Sequence, residues 1–271
     1  MNAAMQGRQG TAVVLDVRSG NILAAYDMAR ASQRLIRPGS AIKPFVLATL
    51  ADRGMLRDSP GVRCSRQLKI AGRKLDCGHP EIAEPLEAVP ALAYSCNTYF
   101  TTVGARLTPL QLRSGLMSWG LAMRTGRGKN EAAGHIGLSR TRAELQLQSI
   151  GEENVLVTPL GLLQGYLRLA RERRAAGDGS HAVVFQGLEA ATQYGMARLA
   201  QPASTHLRVA GKTGTSMAAE GPWTHAWFAG YAPSDKPEVV LIVFLENGAG
   251  PTDAAPLASE LFAAWDKERK R

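Results

Sequence analysis

A serine stands three positions before a lysine at the start of an apolar run, within residues 37–48. Pro38 and Gly39 interrupt the preceding structure, and the apolar run after them predicts a buried helix. On that helix Ser40 and Lys43 share one face, close to backbone N–H groups that lack partners and favour negative charge. A lysine that loses its proton, through burial or a neighbouring cation, is a base for a serine hydroxyl. The spacing is that of a nucleophile–base pair, and it also fits an N-cap serine followed by an ordinary helical lysine.

Two later patterns decide between these interpretations. Residues 95–97 read Ser-Cys-Asn, and residues 212–214 read Lys-Thr-Gly. Each pattern is weak alone, because the first is also typical of a helix-end cap and the second of a turn. After Ser-x-x-Lys and in this order, they form the set found in penicillin-binding proteins and serine β-lactamases. The chain resembles a penicillin-binding protein transpeptidase domain, and the resemblance extends almost end to end through residues 11–24, 157–160 and 226–233.

Acyl transfer needs a nucleophile, a base and a proton donor for the leaving group, and the three motifs supply them. Ser40 is the expected nucleophile, and Lys43 is its expected base. Lys212 would help to keep Lys43 neutral by like-charge repulsion. Ser95 has the chemistry to pass a proton between a lysine and the leaving nitrogen. Asn97 can accept a hydrogen bond from Lys43 and donate one to the amide carbonyl of the substrate.

The third motif is the expected handle for the substrate. The hydroxyls of Thr213 and Thr215, together with Lys212, suit a carboxylate. Gly214 would let the substrate backbone lie against the strand edge with no Cβ in the way. The resemblance also implies that the backbone N–H groups of Ser40 and Thr215 form the oxyanion hole, which contributes strongly in sites of this kind.

The resemblance implies a penicillin-binding DD-transpeptidase that acts on peptidoglycan stem peptides through a Ser40 acyl-enzyme. β-Lactam antibiotics would acylate the same serine, and other proteins of cell-wall synthesis are candidate partners. The domain would act as a DD-carboxypeptidase if water outcompeted the acceptor amine. A serine β-lactamase and a β-lactam sensor that is acylated once without turnover are the alternatives. No cofactor is expected.

The means of activating water separates a transpeptidase from a β-lactamase. One branch of the β-lactamases uses a Glu-x-x-x-Asn loop, and no glutamate of this chain has an asparagine four residues later. The nearest match, Glu152-Glu153-Asn154, has the wrong spacing and stands where relatives usually carry a Gly-Gln-Gly-like turn. Another branch uses a carbamylated lysine, which a sequence does not reveal. The transpeptidase is therefore the leading hypothesis.

The chain has three cysteines, which are too few for a disulfide framework but enough for one bridge or one metal site. Cys64 and Cys77 bracket a predicted hairpin at 66–75 and could form a disulfide in an oxidising compartment. With His79 and Cys96 they could instead offer zinc three thiolates and an imidazole. Similar layouts occur in some relatives ahead of the Ser-x-Asn motif. Free thiols or a disulfide are favoured, because no spacing rule supports the metal, and no metal is expected among the catalytic groups.

The formal net charge of +9 and the pI near 9.8 indicate attraction to an anionic partner. Lysine and arginine are scattered except at 266–271, with no interleaved aromatic residues, so nucleic acid is not an expected partner. No stretch approaches the roughly 18 apolar residues that cross a bilayer, and residues 1–10 hold no apolar signal core. Since the family's substrate lies outside the cytoplasm, we expect an extracytoplasmic domain whose start is trimmed or misassigned.

Periodicity predicts strands at 11–17, 21–26, 206–214, 225–232 and 237–245. It predicts helices at 40–53, 84–104 with a break near Pro90, 108–119, 140–150, 158–174, 187–199 and 254–268. Strands at both chain ends around a helical middle predict an α+β fold. In this fold an antiparallel sheet is flanked by helices, and an all-α lobe is inserted between its strands. We expect a single domain over residues 1–271, with an α/β lobe at about 1–55 and 203–271 and a helical lobe at about 56–202.

Overall fold

A computed structural model describes residues 1–56, 61–177 and 179–271. Its strands are β1 (Gly10–Asp16), β2 (Ile22–Tyr26), β3 (Lys69–Ile70), β4 (Arg73–Lys74), β5 (His135–Ile136), β6 (Val155–Leu156), β7 (Ala210–Met217), β8 (Thr224–Ala232) and β9 (Val239–Leu245). Its α-helices are α1 (Asn2–Met5), α2 (Met28–Gln33), α3 (Lys43–Asp52), α4 (Ala88–Ala93), α5 (Asn97–Gly104), α6 (Pro109–Ser118), α7 (Arg142–Ser149), α8 (Pro159–Ala176), α9 (Ala182–Gln193) and α10 (Ala255–Arg269). Short 3-10 helices lie at Gly39–Ile42 and Arg198–Ala200, and a π-helical turn lies at Gly250–Ala254.

Five strands form one antiparallel sheet in the order β2-β1-β9-β8-β7. Strands from the two chain ends therefore lie side by side, as the predicted α+β class requires. The strand β7 carries the Lys-Thr-Gly motif and lies at the edge of the sheet, with Lys212 opposite Ala229 of β8. An edge strand has one row of backbone N–H and C=O groups that does not pair within the sheet. The third motif is thus placed where a substrate can approach backbone groups.

Alternating side chains along the sheet build an apolar core on each of its faces. Val13 and Ile242 face the core that includes α3 and α8, and Ala12 and Val243 face the core that includes α10. The helix α3 is buried on every side over its first eight residues. A helix enclosed in this way carries any polar residue into the core with it. This is why Lys43, the first residue of α3, is fully buried.

The predicted break in the helix at 84–104 is displaced from Pro90 to residues 94–96. Pro90 lies in the first turn of α4, where a backbone N–H has no intrahelical acceptor. The missing N–H of proline therefore costs α4 no hydrogen bond. The real break separates α4 from α5 and carries the Ser-x-Asn motif.

Two other elements are shifted along the chain from their predicted positions. The helix α9 lies several residues before the predicted 187–199, because the chain turns at Gly195, where a Cβ would lie 2.3 Å from the carbonyl oxygen of Ala93. The strand β7 begins after the predicted residue 206. The reason is that the N–H of Val209 bonds to the side chain of Gln201 rather than to the sheet.

The hairpin predicted at residues 66–75 is confirmed as β3 and β4. Its turn residues, Ala71 and Gly72, have φ angles of 48° and 82°. Positive φ at both central positions is the requirement of the turn that best matches the twist of two paired strands. The hairpin brings Arg73 toward the loop that follows α7, where it contacts Glu152.

The middle of the chain is mostly helical and also holds the two small ribbons β3–β4 and β5–β6. The helix α8, inside the predicted helical lobe, packs on the sheet, and Nε of Arg171 donates to the carbonyl oxygen of Val17 at 2.7 Å. The division into lobes near residues 56 and 202 stays a prediction. Within residues 1–56, 61–177 and 179–271, no helix is both long enough and apolar enough to cross a membrane.

Candidate active site

The candidate nucleophile lies on a 3-10 turn rather than within the predicted α-helix. Ser40 is the second residue of the turn Gly39–Ile42, and Lys43 begins α3 directly after it. In a 3-10 turn the side chains three residues apart eclipse one another. The two groups therefore stay on the same side of the chain, as the sequence predicted. Ser40 is partly exposed, whereas Lys43 is fully buried.

The backbone around Ser40 is held tightly by the strand β7 and by the loop after α7. Gly39 has φ of 51°, and a Cβ there would lie 2.5 Å from the carbonyl oxygen of Thr215. The N–H of Gly39 donates to the carbonyl oxygen of Gly151 at 3.2 Å. A Cβ on Gly214 would lie 2.6 Å from the carbonyl oxygen of Pro38. Glycine at 214 thus allows the strand to pack closely on the turn that carries Ser40. The sequence had suggested another reason for this glycine, namely space for the substrate backbone.

The amine of Lys43 is fixed by the second motif. Its Nζ donates to the carbonyl oxygen of Ser95 and to Oδ1 of Asn97, both at 2.7 Å, and lies 3.2 Å from Oγ of Ser95. Burial lowers the pKa of Lys43 to about 8, against the opposing effects of the nearby Cys96, Cys77 and Glu152. A neutral amine has two N–H donors and one lone pair. The two short bonds use both donors and leave the lone pair for the proton of a hydroxyl.

The second motif occupies the corner between α4 and α5. Ser95 has φ of 58°, a conformation that non-glycine residues seldom adopt and that often marks a functional site. Asn97 is the first residue of α5, and its Nδ2 donates to the carbonyl oxygen of Leu75 at 3.0 Å. One N–H of this amide is engaged by Leu75, so the other is available to a substrate carbonyl. The expected contact from Lys43 to Asn97 is present.

Lys212 of the third motif is also fully buried, and its Nζ donates to the carbonyl oxygen of Thr213 at 3.0 Å. Burial lowers the pKa of Lys212 far below its usual value, and the charge of Lys43 lowers it further. The sequence predicted that Lys212 would keep Lys43 neutral. In the structure, burial has this effect on Lys43, and the charge repulsion acts on Lys212.

A cleft of about 360 Å³ joins the three motifs. The predicted residues that line it are Ser40, Ser95, Asn97, Thr213, Gly214 and Thr215. Lys43 and Lys212 lie buried in contact with the second and third motifs rather than on the cleft surface. Residues separated by more than 170 positions in the chain therefore meet at one site. The arrangement offers a hydroxyl, a low-pKa amine on the same side of the chain, and an edge strand with two threonine hydroxyls.

One cleft residue was set aside by the sequence reasoning. Glu152 lines the same cleft and is only 6% exposed. Its Oε2 accepts from Nη2 of Arg73 at 2.5 Å. Burial raises the pKa of Glu152, and Arg73 opposes this effect. The signal in the sequence was the departure from the Gly-Gln-Gly-like turn, which the sequence showed but to which no function was assigned.

Three thiols and an imidazole converge directly behind the second motif. The ligand atoms of Cys64, Cys77, His79 and Cys96 all lie within 4.8 Å of one another, and the three cysteines are free thiols rather than a disulfide. The sulfur atoms of Cys77 and Cys96 are 3.9 Å apart. Two thiolates bound to one tetrahedral zinc at about 2.3 Å would be separated by roughly that distance. The geometry therefore fits the zinc alternative.

The surroundings of this cluster also suit a structural zinc site. The N–H of Asn97 donates to the sulfur of Cys77 at 3.2 Å, and the N–H of Tyr99 donates to the sulfur of Cys96 at 3.4 Å. Nδ1 of His79 faces the carbonyl oxygen of its neighbour at 2.7 Å, which leaves Nε2 toward the thiols. Such outer contacts orient metal-binding side chains. A zinc ion would be closed in by four ligands and would hold the Ser95–Asn97 corner in place, with no part in acyl transfer.

A family model described as the penicillin binding protein transpeptidase domain matches residues 10–263. The chain belongs to this family. The transpeptidase domain shares its fold with Pseudomonas aeruginosa PBP2 in a complex with WCK 5153, at a TM-score of 0.84, 21% identity and coverage of 97% of this chain and 75% of that one. A D,D-transpeptidase domain of a peptidoglycan glycosyltransferase from Eggerthella lenta gives a TM-score of 0.78 at 20% identity, with 98% and 80% covered.

Curated relatives are similar over parts of their length. The peptidoglycan D,D-transpeptidase PbpA of Mycobacterium tuberculosis is 27% identical over 209 residues, which cover 64% of this chain and 43% of the relative. The peptidoglycan D,D-transpeptidase MrdA of Haemophilus influenzae is 37% identical over 82 residues, covering 25% and 13%. The transpeptidase domain thus spans less than half the length of these relatives.

The lowered pKa of Lys43 predicts the pH dependence of acylation by a penicillin. Only the neutral amine accepts a proton, so the rate should rise with pH to a plateau above about 8. At pH 6 it should be roughly a hundredfold below the plateau, because about 1% of the amine is neutral there. Lys43→Arg should lower acylation by orders of magnitude, since arginine keeps its proton. The exposed Lys236→Arg is the control, and a flat profile between pH 6 and 9 would contradict this role.

The cysteine cluster predicts about one zinc ion per chain after purification without chelators, measured by elemental mass spectrometry. Cys64→Ser and Cys77→Ser should lose the zinc and lower Tm, because bound metal stabilises the folded state. The exposed histidine His135→Gln is the control and should keep the zinc. A metal-free protein in which peptide mapping finds a disulfide between two of the cysteines would refute the prediction.

Proposed function

We propose that this domain is a peptidoglycan DD-transpeptidase that works through an acyl-enzyme on Ser40. The observation that carries the proposal is the buried amine of Lys43, which follows Ser40 by one 3-10 turn and is held by Ser95 and Asn97 at 2.7 Å. A base with a pKa of about 8 is suited to activate a hydroxyl near neutral pH. The names of the relatives, which are peptidoglycan D,D-transpeptidases, support the same reaction.

Acylation would begin when neutral Lys43 takes the proton of the Ser40 hydroxyl. The serine oxygen attacks the amide carbonyl of the donor peptide, and the backbone N–H groups of Ser40 and Thr215 stabilise the oxyanion. Ser95, whose Oγ is 3.2 Å from the Lys43 amine, passes the proton to the leaving nitrogen. The free N–H of Asn97 holds a carbonyl of the substrate beside the nucleophile.

The carboxylate of the donor peptide, or of a penicillin, would bind to the hydroxyls of the third motif. Oγ1 of Thr215 accepts from the N–H of Gly250 at 3.0 Å, so its own hydrogen remains free to donate. The hydroxyl of Thr213 makes one long contact of 3.4 Å, to the carbonyl oxygen of Met196. Both threonines line the cleft together with Ser40. The buried Lys212 supports this motif through its hydrogen bond to the carbonyl oxygen of Thr213.

The fate of the acyl-enzyme sets the reaction class. Attack by an amine gives transpeptidation, attack by water gives carboxypeptidase activity, and fast hydrolysis of a penicillin adduct gives β-lactamase activity. In this proposal the domain lies outside the cytoplasm, where it encounters its stem-peptide substrates and β-lactams. A slow loss of the penicillin adduct follows from it, because the chain carries no Glu-x-x-x-Asn loop for activating water.

Incubation with a fluorescent penicillin tests the nucleophile. The wild-type domain should give a stable adduct on the peptide containing Ser40, and Ser40→Ala should give none while keeping its Tm. The exposed Ser204→Ala is a matched control and should be labelled like the wild type. An adduct on Ser40→Ala, detected by intact mass, would contradict the assignment of Ser40 as the nucleophile. Rapid release of ring-opened penicillin by the wild type would show β-lactamase activity and contradict the transpeptidase proposal.

A further inference from the structure

The loop after α7 brings a buried carboxylate to the cleft beside the candidate nucleophile. The hydrogen bond from Gly39 to Gly151, at 3.2 Å, ties this loop to the residue before Ser40. A Cβ on Gly151 would lie 2.2 Å from the carbonyl oxygen of Gly39, so the two chains are in direct backbone contact. Glu152 follows directly, and its side chain lines the cleft that Ser40 also lines. The carboxylate therefore has a fixed position close to the acylated serine.

One carboxylate oxygen of Glu152 is bonded to Arg73, and the other is open to the cleft. Arg73 donates to Oε2 of Glu152 at 2.5 Å and to its backbone carbonyl oxygen at 3.1 Å, and it lies 3.6 Å from a carboxylate oxygen of Glu153. Two carboxylates thus contact one guanidinium, and the charges of Arg37 and Lys43 also act on Glu152. Among the residues that the structure describes, Oε1 of Glu152 has no hydrogen-bond partner. Glu152 lines the cleft, so a ligand bound there can donate a hydrogen bond to this oxygen.

The chemistry of Oε1 of Glu152 indicates which class of ligand it can bind. Ca²⁺ takes at least six oxygen ligands, and Mg²⁺ needs near-ideal octahedral geometry. One carboxylate oxygen beside an arginine therefore offers too few ligands for either ion. A primary ammonium needs only one such oxygen and forms a strong charge-assisted hydrogen bond with it. The nearby Lys43 and Lys212 are both buried with lowered pKa values and are bonded to other groups. The charge of Arg37 acts on Glu152, but among the described residues Arg37 forms no hydrogen bond to it. Glu152 is therefore left for a cation that comes with the substrate.

We propose that Oε1 of Glu152 binds the protonated primary amine of the acceptor strand and selects amine over water in the second half-reaction. This inference rests on the proposed transpeptidase function. The amine nitrogen attacks the ester carbonyl carbon, the new C–N bond forms, and the bond from that carbon to Oγ of Ser40 breaks. One of the three ammonium protons passes to Glu152 and then to solvent. A second passes through Lys43 to Oγ of Ser40, and the third stays on the new amide nitrogen.

The test compares two acceptors on the full chain after acylation by a thioester donor. Nα-Acetyl-lysine carries a protonated side-chain amine, whereas hydroxylamine is uncharged at neutral pH. Glu152→Gln should slow transfer to Nα-acetyl-lysine by roughly tenfold to a hundredfold, the usual effect of a lost hydrogen bond to a charged group. Transfer to hydroxylamine and penicillin labelling of Ser40 should stay within about twofold. Glu152→Asp, which keeps the charge on a shorter side chain, should recover part of the loss.

The neighbouring Glu153→Gln is the matched control, because Glu153 is partly exposed and contacts the same arginine. It should change transfer to either acceptor by less than about threefold. Equal losses for both acceptors, or a loss confined to hydrolysis, would overturn the inference and assign Glu152 to the loop's structure or to water activation. Penicillin labelling separates this outcome from failure of the proposed function. If the wild type is labelled at Ser40 and Glu152→Gln shows no selective loss, only the inference on Glu152 fails.

Discussion

The burial of the Lys43 amine is the constraint on which the rest of the site depends. Lowering its pKa from 10.5 to about 8 corresponds to about 3 kcal/mol against the charged form. Because the unfolded chain binds this proton more tightly, the cost to the folded state is full below pH 8 and disappears as the pH rises to about 10.5. The fold accepts this loss of stability at neutral pH and obtains a base that can act there. The enclosed position of α3 is therefore a functional feature as well as a packing feature.

The corner at residues 95–97, which binds the Lys43 amine, is itself stabilised by contacts on its opposite side. Ser95 has an unfavourable backbone conformation, and Asn97 contacts both Lys43 and the carbonyl oxygen of Leu75. Cys96, between them, points into the cluster of thiols and His79. A strained backbone conformation persists only where the surrounding contacts hold it in place, and the contacts of Cys96 help to do so. The metal-binding cluster and the catalytic motif are thus two sides of one short segment.

The motifs and the main elements were predictable from the sequence because their signals are local. Three short patterns in a fixed order identified Ser40 and its partners, and alternation located the strands at both chain ends. The break in the helix at 84–104 was misplaced, because proline disrupts a helix only where its N–H would be needed. The start of β7 was misplaced, because a side-chain contact from Gln201 competes with the sheet.

Other features could not be read from the sequence, because they depend on contacts between distant segments. The cysteine cluster combines ligands from three segments, and no spacing rule describes it. The pKa of Lys43 is lowered by burial, and this burial depends on the segments that enclose α3. The importance of Glu152 depends on the backbone contact between Gly39 and Gly151, which brings a distant loop to the nucleophile. The sequence showed that Glu152 departs from a water-activating loop and from the usual turn of its relatives, but not that it lies beside the nucleophile.

A crystal structure of the penicillin adduct tests the central claim most directly. We expect a covalent bond from Oγ of Ser40 to the opened ring, with Nζ of Lys43 within hydrogen-bond distance of that oxygen. The penicillin carboxylate should lie against the hydroxyls of Thr213 and Thr215, and Nδ2 of Asn97 should face the side-chain amide carbonyl. A bond to any other residue, or a Lys43 amine that remains out of reach of the Ser40 oxygen, would contradict the account.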